Sequence, residues 1–166
     1  MKKRLTYIGL MSLFLFYSCG FSAGGGGRGS SKNRSSAKHK IYFEKTKYEK
    51  VLSLATEEQK PIFLDFYTDW CAPCRWLEKD AFENESAARY FNKNLISLKI
   101  NAEKGEGVEL AQQFKIKAFP TLIYLKPNGQ EISRHVGLTS ANRLISMAKK
   151  SVKVINDINK AKAKKK

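Results

Sequence analysis

Cysteine is scarce in this 166-residue chain: Cys19, Cys71 and Cys74 are the full set. Three are too few for a disulfide framework, so the core must come from apolar burial. Histidine is scarcer, with only His39 and His135. Zinc takes four Cys/His ligands in structural sites and three in catalytic ones. Such a site would have to recruit His39 from far along the chain, and there is no second CxxC pair. Long apolar runs are also missing. The charge-free stretch Leu5–Tyr17 has thirteen residues, short of the about 20 that cross a bilayer. Acid is scarce, with 15 Asp/Glu against 31 Lys/Arg and a net charge of +16. The imbalance is not spread evenly. Residues 41–150 hold 17 basic and 14 acidic residues, and the two ends hold the other 14 basic residues with one acid. A near-neutral globular segment with basic arms argues against a nucleic-acid-binding face. No internal repeat is present.

The arms differ from one another. "MKKR", the apolar run and "SCG" follow the charged, apolar and small-residue order of a secretory signal. "LFYSCG" resembles a bacterial lipoprotein signal, which implies lipidation of Cys19 and a membrane anchor. Phe16 and Tyr17 depart from the usual residues there, and cleavage near Gly20 or Ala23 is the rival reading. Either way an extracytoplasmic, periplasmic protein is expected. Residues 20–40 are Gly/Ser-rich with scattered positive charge and read as a flexible tether, reaching roughly 25 Å. The organisation expected is therefore a signal over 1–19, a tether over 20–40, a domain over 41–158 and a basic tail over 159–166, whose last six residues, "AKAKKK", read as frayed.

Within the domain, "YEKVLSLATEEQ" (48–59) has helical periodicity and stops at Pro61. "PIFLDFYT" (61–68) is a continuous apolar run with one acid, the pattern of a strand buried on both faces. The segment from Cys74 reads as a helix broken near Asn84. "LISLKIN" (95–101) is a second strand and "GVELAQQF" (107–114) a short helix. "TLIYLK" (121–126), "PNG" and "QEISRHVG" make a hairpin. A last helix begins at a Thr139 or Ser140 cap and carries Leu144, Ala148, Val152, Ile155 and Ile158 on one stripe. This order predicts an α/β fold: a mixed sheet of four to five strands flanked by helices.

The chemistry centres on "FYTDWCAPCRW" (66–76). By itself a CxxC pair can hold a metal, lock a structural loop or shuttle electrons. "FLDFYTDWCAPC" resembles the active-site segment of thioredoxins, and "KAFPT" (117–121) resembles their cis-proline turn. The resemblance runs from about residue 48 to 150 and implies a thioredoxin-like fold with cis-Pro120 before the third strand. The longer stretch after the motif is similar to the C-terminal domain of the DsbD thiol–disulfide interchange family, although Pro73 is closer to thioredoxin itself. The resemblance implies a thiol–disulfide oxidoreductase whose only redox group is the Cys71–Cys74 pair, with no further cofactor and no metal. Cys71 would be the exposed nucleophile and Cys74 the inward-facing resolving thiol. Asp65 would be the buried proton acceptor with Lys99 as its partner; the competing reading is a purely structural Asp65–Lys99 ion pair. Trp70, Pro73, Phe119 and Pro120 would border the substrate. Gly137 matches the glycine before the family's last helix.

Physical chemistry supports these roles. The thiolate is the attacking species, and a strand-to-helix junction lowers a thiol pKa through unpaired N–H groups and the helix dipole. A proline in a helix's first turn forfeits no hydrogen bond. The dipeptide Ala72-Pro73 is near the thioredoxin type, which favours a reductase acting on disulfide-containing proteins as a monomer and supplied by a membrane thiol carrier. An oxidase or isomerase is the alternative within the class. A metal-binding or redox-inactive binding module is the alternative outside it.

Overall fold

The computed structural model describes residues 40–164; Cys19, the signal-like segment and residues 20–39 lie outside them. Among the described residues no helix is long and apolar enough to cross a membrane. The first helix, α1 (Tyr48–Glu58), buries Tyr48, Val51, Leu54 and Ala55 and ends at Gln59, whose backbone is left-handed. Pro61 then starts the extended segment leading into β1 (Ile62–Tyr67).

Alternation along β1 sorts its side chains onto two faces. Ile62, Leu64 and Phe66 pack with Val51 and Ala55 of α1 and with Leu110 and Phe114. Phe63 faces the other way, into a layer with Phe82, Phe91, Leu122, Tyr124, Leu144 and Ala148. There its ring meets Phe91 edge-on at 4.9 Å and Tyr124 at 5.1 Å. Both faces are covered, as the uninterrupted apolar run predicts. Asp65 has the parity of Phe63 and so points to this second layer.

The sheet has four strands in the order β2–β1–β3–β4. Strand β2 (Ile96–Asn101) is parallel to β1, with Asp65 opposite Lys99. Strand β3 (Thr121–Leu125) is antiparallel to β1, and β4 (Glu131–Val136) returns antiparallel to β3. Between β1 and β2 lies the broken helix: α2 (Ala72–Leu77), one wide π-type turn (Glu78–Phe82) and α3 (Glu85–Asn94). The break falls where expected, because Asn84 caps α3 by accepting from the Ser86 and Ala87 amides at 3.1 Å. The π turn is an addition to the sequence expectation. Within it the Glu83 amide donates to the Glu78 carbonyl at 3.0 Å, and Ala81 and Phe82 are turned inward.

Helix α4 (Gly107–Gln113) follows β2 so closely that a Cβ on Gly107 would stand 1.9 Å from the Asn101 carbonyl oxygen. The last helix, α5 (Ala141–Ala163), is capped by Ser140, whose Oγ accepts from the Arg143 amide at 3.4 Å. Leu144, Ala148, Ser151 and Ile155 are buried along it, and the Tyr124 hydroxyl donates to the Leu144 carbonyl at 3.2 Å. The fraying expected from Ala161 is corrected: the helix runs on through Ala163. Alanine and lysine are both strong helix formers, and a helix already anchored by its buried stripe extends at little cost.

Candidate active site

The dithiol lies where β1 ends and α2 begins. Cys71 is the N-cap of α2 and Cys74 sits one turn on. Their sulfurs are joined in a disulfide, 2.05 Å, with the Cα atoms 5.3 Å apart. The Cys74 amide donates to Cys71 Sγ at 3.1 Å, so a free N–H of the helix start is aimed at the sulfur that must carry negative charge. Pro73 occupies the first turn without loss of a bond. Cys71 was expected to be exposed; it is only 2% exposed, against 6% for Cys74. In the oxidised form its sulfur is tied back against the first turn by the bond to Cys74.

The expected neighbours converge on this end of the sheet. The Phe119–Pro120 peptide bond is cis, Pro120 is buried, and its carbonyl accepts from the Gly137 amide at 2.8 Å. Gly137 has φ 90°, a conformation that disfavours any side chain. Trp70 is 66% exposed and meets Phe119 edge-on, ring centroids 6.0 Å apart. Two aromatic rings from segments 49 positions apart thus form one wall beside the dithiol loop.

Asp65 is 1% exposed, and its Oδ1 has no hydrogen-bond partner. Burial pushes its pKa up to about 7, with Lys99 pulling it down and Glu78 pushing it up. The direct Asp65–Lys99 ion pair suggested by the sequence is corrected. Lys99 faces Asp65 across the strands, but its Nζ bonds Glu78 Oε2 at 2.6 Å and lies 4.7 Å from the centroid of the Tyr67 ring. Glu78 is at the rim and half-buried, where a charged pair retains solvent, whereas pairing at Asp65 would desolvate both ions. The buried carboxyl is thereby left with the character of a neutral acid that can exchange a proton near neutrality. Thr68 Oγ1, also buried and without a partner, adds a second unsatisfied polar atom in the same short segment.

Four further residues were not legible as site residues. Glu78 is one. The others, at the last residue of β2 and just after it, grip the turn before the dithiol. Asn101 Nδ2 donates to Asp69 Oδ1 at 2.8 Å, Lys104 Nζ bonds Asp69 Oδ2 at 2.6 Å, and Trp70 Nε1 donates to Glu103 Oε1 at 3.0 Å. These contacts join positions more than thirty residues apart, and no local pattern marks them. His135, the one histidine among the described residues, turns its Nε2 to the Leu138 carbonyl at 3.0 Å.

A family model described as a thioredoxin-like domain matches residues 48–151. The chain belongs to the thioredoxin-like family. Among curated relatives of this thioredoxin-like chain, Thioredoxin-1 of Drosophila melanogaster is 33% identical over 96 residues, covering 58% of this chain and 83% of that one. The thiol:disulfide interchange protein DsbD of Yersinia pestis is 32% identical over 81 residues, 48% of this chain. This chain spans only 14% of DsbD's length. A solved structure from Bacteroides thetaiotaomicron, provisionally named a disulphide-isomerase, is 37% identical with a TM-score of 0.61, covering 69% of this chain and 94% of that one. The fold is also that of a DsbH oxidoreductase, TM-score 0.62 at 21% identity, covering 70% and 88%. Family membership and the Cys71–Cys74 disulfide together mark this chain as a thioredoxin-like thiol–disulfide oxidoreductase.

Proposed function

We propose that this thioredoxin-like oxidoreductase reduces disulfides of extracytoplasmic proteins. The observation that carries the reading is the closed Cys71–Cys74 pair at the start of α2, on a chain that also has a cis Phe119–Pro120 bond and a buried Asp65 whose pKa is pushed up to about 7. In the reduced protein the Cys71 thiolate attacks one sulfur of the substrate disulfide. A Cys71–substrate disulfide forms and the other substrate sulfur leaves as a thiolate. Cys74 gives its proton to the Asp65 carboxylate and its sulfur attacks Cys71 Sγ. The Cys71–Cys74 bond closes and the second substrate thiolate is released. The substrate gains the two electrons that the dithiol loses, and a membrane thiol carrier restores the dithiol.

Trp70, Phe119, Pro73 and the Pro120 turn border the substrate segment, which lies extended against the backbone beside Pro120. Lys99 holds Glu78 and limits the rise in the Asp65 pKa. The reductive direction is supported by the Ala72-Pro73 dipeptide between the cysteines, which is near the thioredoxin type. The setting outside the cytoplasm rests on the signal-like N-terminus, with Cys19 as lipid anchor, and on the likeness to DsbD. The structural likeness to a protein provisionally named a disulphide-isomerase favours isomerase activity as the second reading. The test is reduction of insulin disulfides by pre-reduced protein. Cys71→Ser abolishes turnover if the reading is right; unchanged turnover refutes it.

A further inference from the structure

The α5 extension places a cluster of lysines at a defined position. The helix starts four residues after Gly137, beside the dithiol end, where the segment leading into it, Leu138, Thr139 and Ser140, lines a groove with Trp76 and Leu77 of α2. It then runs 23 residues, about 34 Å, to the opposite end of the sheet. At that end Ile155, Ile158, Asn159 and Lys162 share a groove of about 310 Å³ with Lys126 and Asn128 of the hairpin turn. Lys160 and Lys164 project beyond it, fully exposed. Five of the last seven residues of the chain are lysine.

Among the described residues, Lys126, Lys160, Lys162 and Lys164 have no carboxylate within ion-pair distance. Of the acids at this end, Glu58 of α1 bonds Lys60 at 2.8 Å and Asp157 of α5 bonds Lys153 at 2.9 Å. One or two lysines in a last turn would satisfy the helix dipole. A cluster drawn from both the helix and the hairpin turn, around a groove lined by isoleucine and side-chain amides, exceeds that need. Lysines that can reach past an apolar stem to phosphate, around the half-buried Ile158, fit the headgroup layer of an anionic bilayer. The signal-like N-terminus sets the domain beside a bilayer rather than a duplex.

We propose that this lysine pole is a docking surface for an anionic lipid bilayer, which holds the domain with its dithiol end turned away from the membrane. The inference goes beyond the redox reading and does not depend on it. The two tryptophans of the chain, Trp70 and Trp76, both sit at the dithiol end and report the orientation directly.

The test compares full-length protein on vesicles of 30% phosphatidylglycerol in phosphatidylcholine with its binding to phosphatidylcholine alone. The ratio cancels any apolar contribution of Leu5–Tyr17. Replacing Lys126, Lys160, Lys162 and Lys164 by Gln should lower the ratio by about tenfold or more. The same number of changes at the exposed Lys45, Lys50, Lys79 and Lys117 should lower it far less. Brominated anionic lipid should leave the fluorescence of bound wild-type protein unquenched. Equal losses in the two variants, quenching of the tryptophans, or a loss confined to binding of a DNA duplex would each overturn the proposal.

Discussion

Replacing Asp65 by Asn should stabilise the oxidised protein, and the gain should depend on pH. Burial raises the Asp65 pKa from 3.8 to about 7. Between those values the native protein keeps a proton that the unfolded chain has already released. Raising the pH therefore favours unfolding. The stability that comes with the neutral acid is complete below pH 4 and is lost as pH climbs through about 7. At about 1.36 kcal/mol per pH unit, the rise corresponds to about 4 kcal/mol. Asn imitates the protonated acid in shape and charge and does not titrate. The two proteins should thus have similar stability near pH 4, and the variant should lead by about 4 kcal/mol at pH 8. With a urea dependence of about 2 kcal/mol per molar, that is a midpoint gap of about 2 M. Urea titrations followed by tryptophan fluorescence at one-unit steps from pH 4 to 9 give the curve. The Cys71–Cys74 disulfide is kept closed so that no thiol titrates. A gap that is constant with pH would refute the reasoning, since Asp65 would then be ionised throughout. A gap that widens toward acid would refute it as well.

Other perturbations test the parts separately. Glu78→Gln removes a negative charge that raises the Asp65 pKa and leaves Lys99 to lower it; the midpoint of the stability–pH curve should move to lower pH, and Lys99→Met should move it higher. Cys74→Ser should accumulate a stable mixed disulfide between Cys71 and substrate, visible by mass spectrometry as an adduct absent from Cys71→Ser. Gly107→Ala must displace the end of β2, because the new Cβ would meet the Asn101 carbonyl. A loss of about 1–3 kcal/mol is expected in denaturant titrations, together with slower disulfide exchange, because Asn101 also holds Asp69.

The fold was legible where local pattern and burial agree. The apolar run at β1, the "PNG" turn of the hairpin and the helix break near Asn84 each predict the element seen. The site was legible in part: the Cys71–Cys74 pair, Asp65, Phe119 and Pro120 come together as the family resemblance implies. Other features depend on competition between distant groups. Lys99 sits opposite both an acid on its neighbouring strand and Glu78 on the π turn, and only the relative desolvation at the two places selects Glu78. The grip of Asn101, Glu103 and Lys104 on Asp69 and Trp70 has no local signature. Burial of Cys71 follows from the closed disulfide, a state that the motif does not specify. The lysine-rich C-terminus resembles a solvated tail in composition, yet its Ala and Lys residues carry an anchored helix onward.

The most direct test of the reductive role is the reduction potential of the Cys71–Cys74 pair, measured by equilibration with glutathione or dithiothreitol buffers and thiol trapping. A donor of electrons to extracytoplasmic disulfides should lie near the thioredoxin value of about −270 mV. A value near the roughly −120 mV of a strong oxidant would contradict it and reverse the direction in which Cys71 and Cys74 pass electrons.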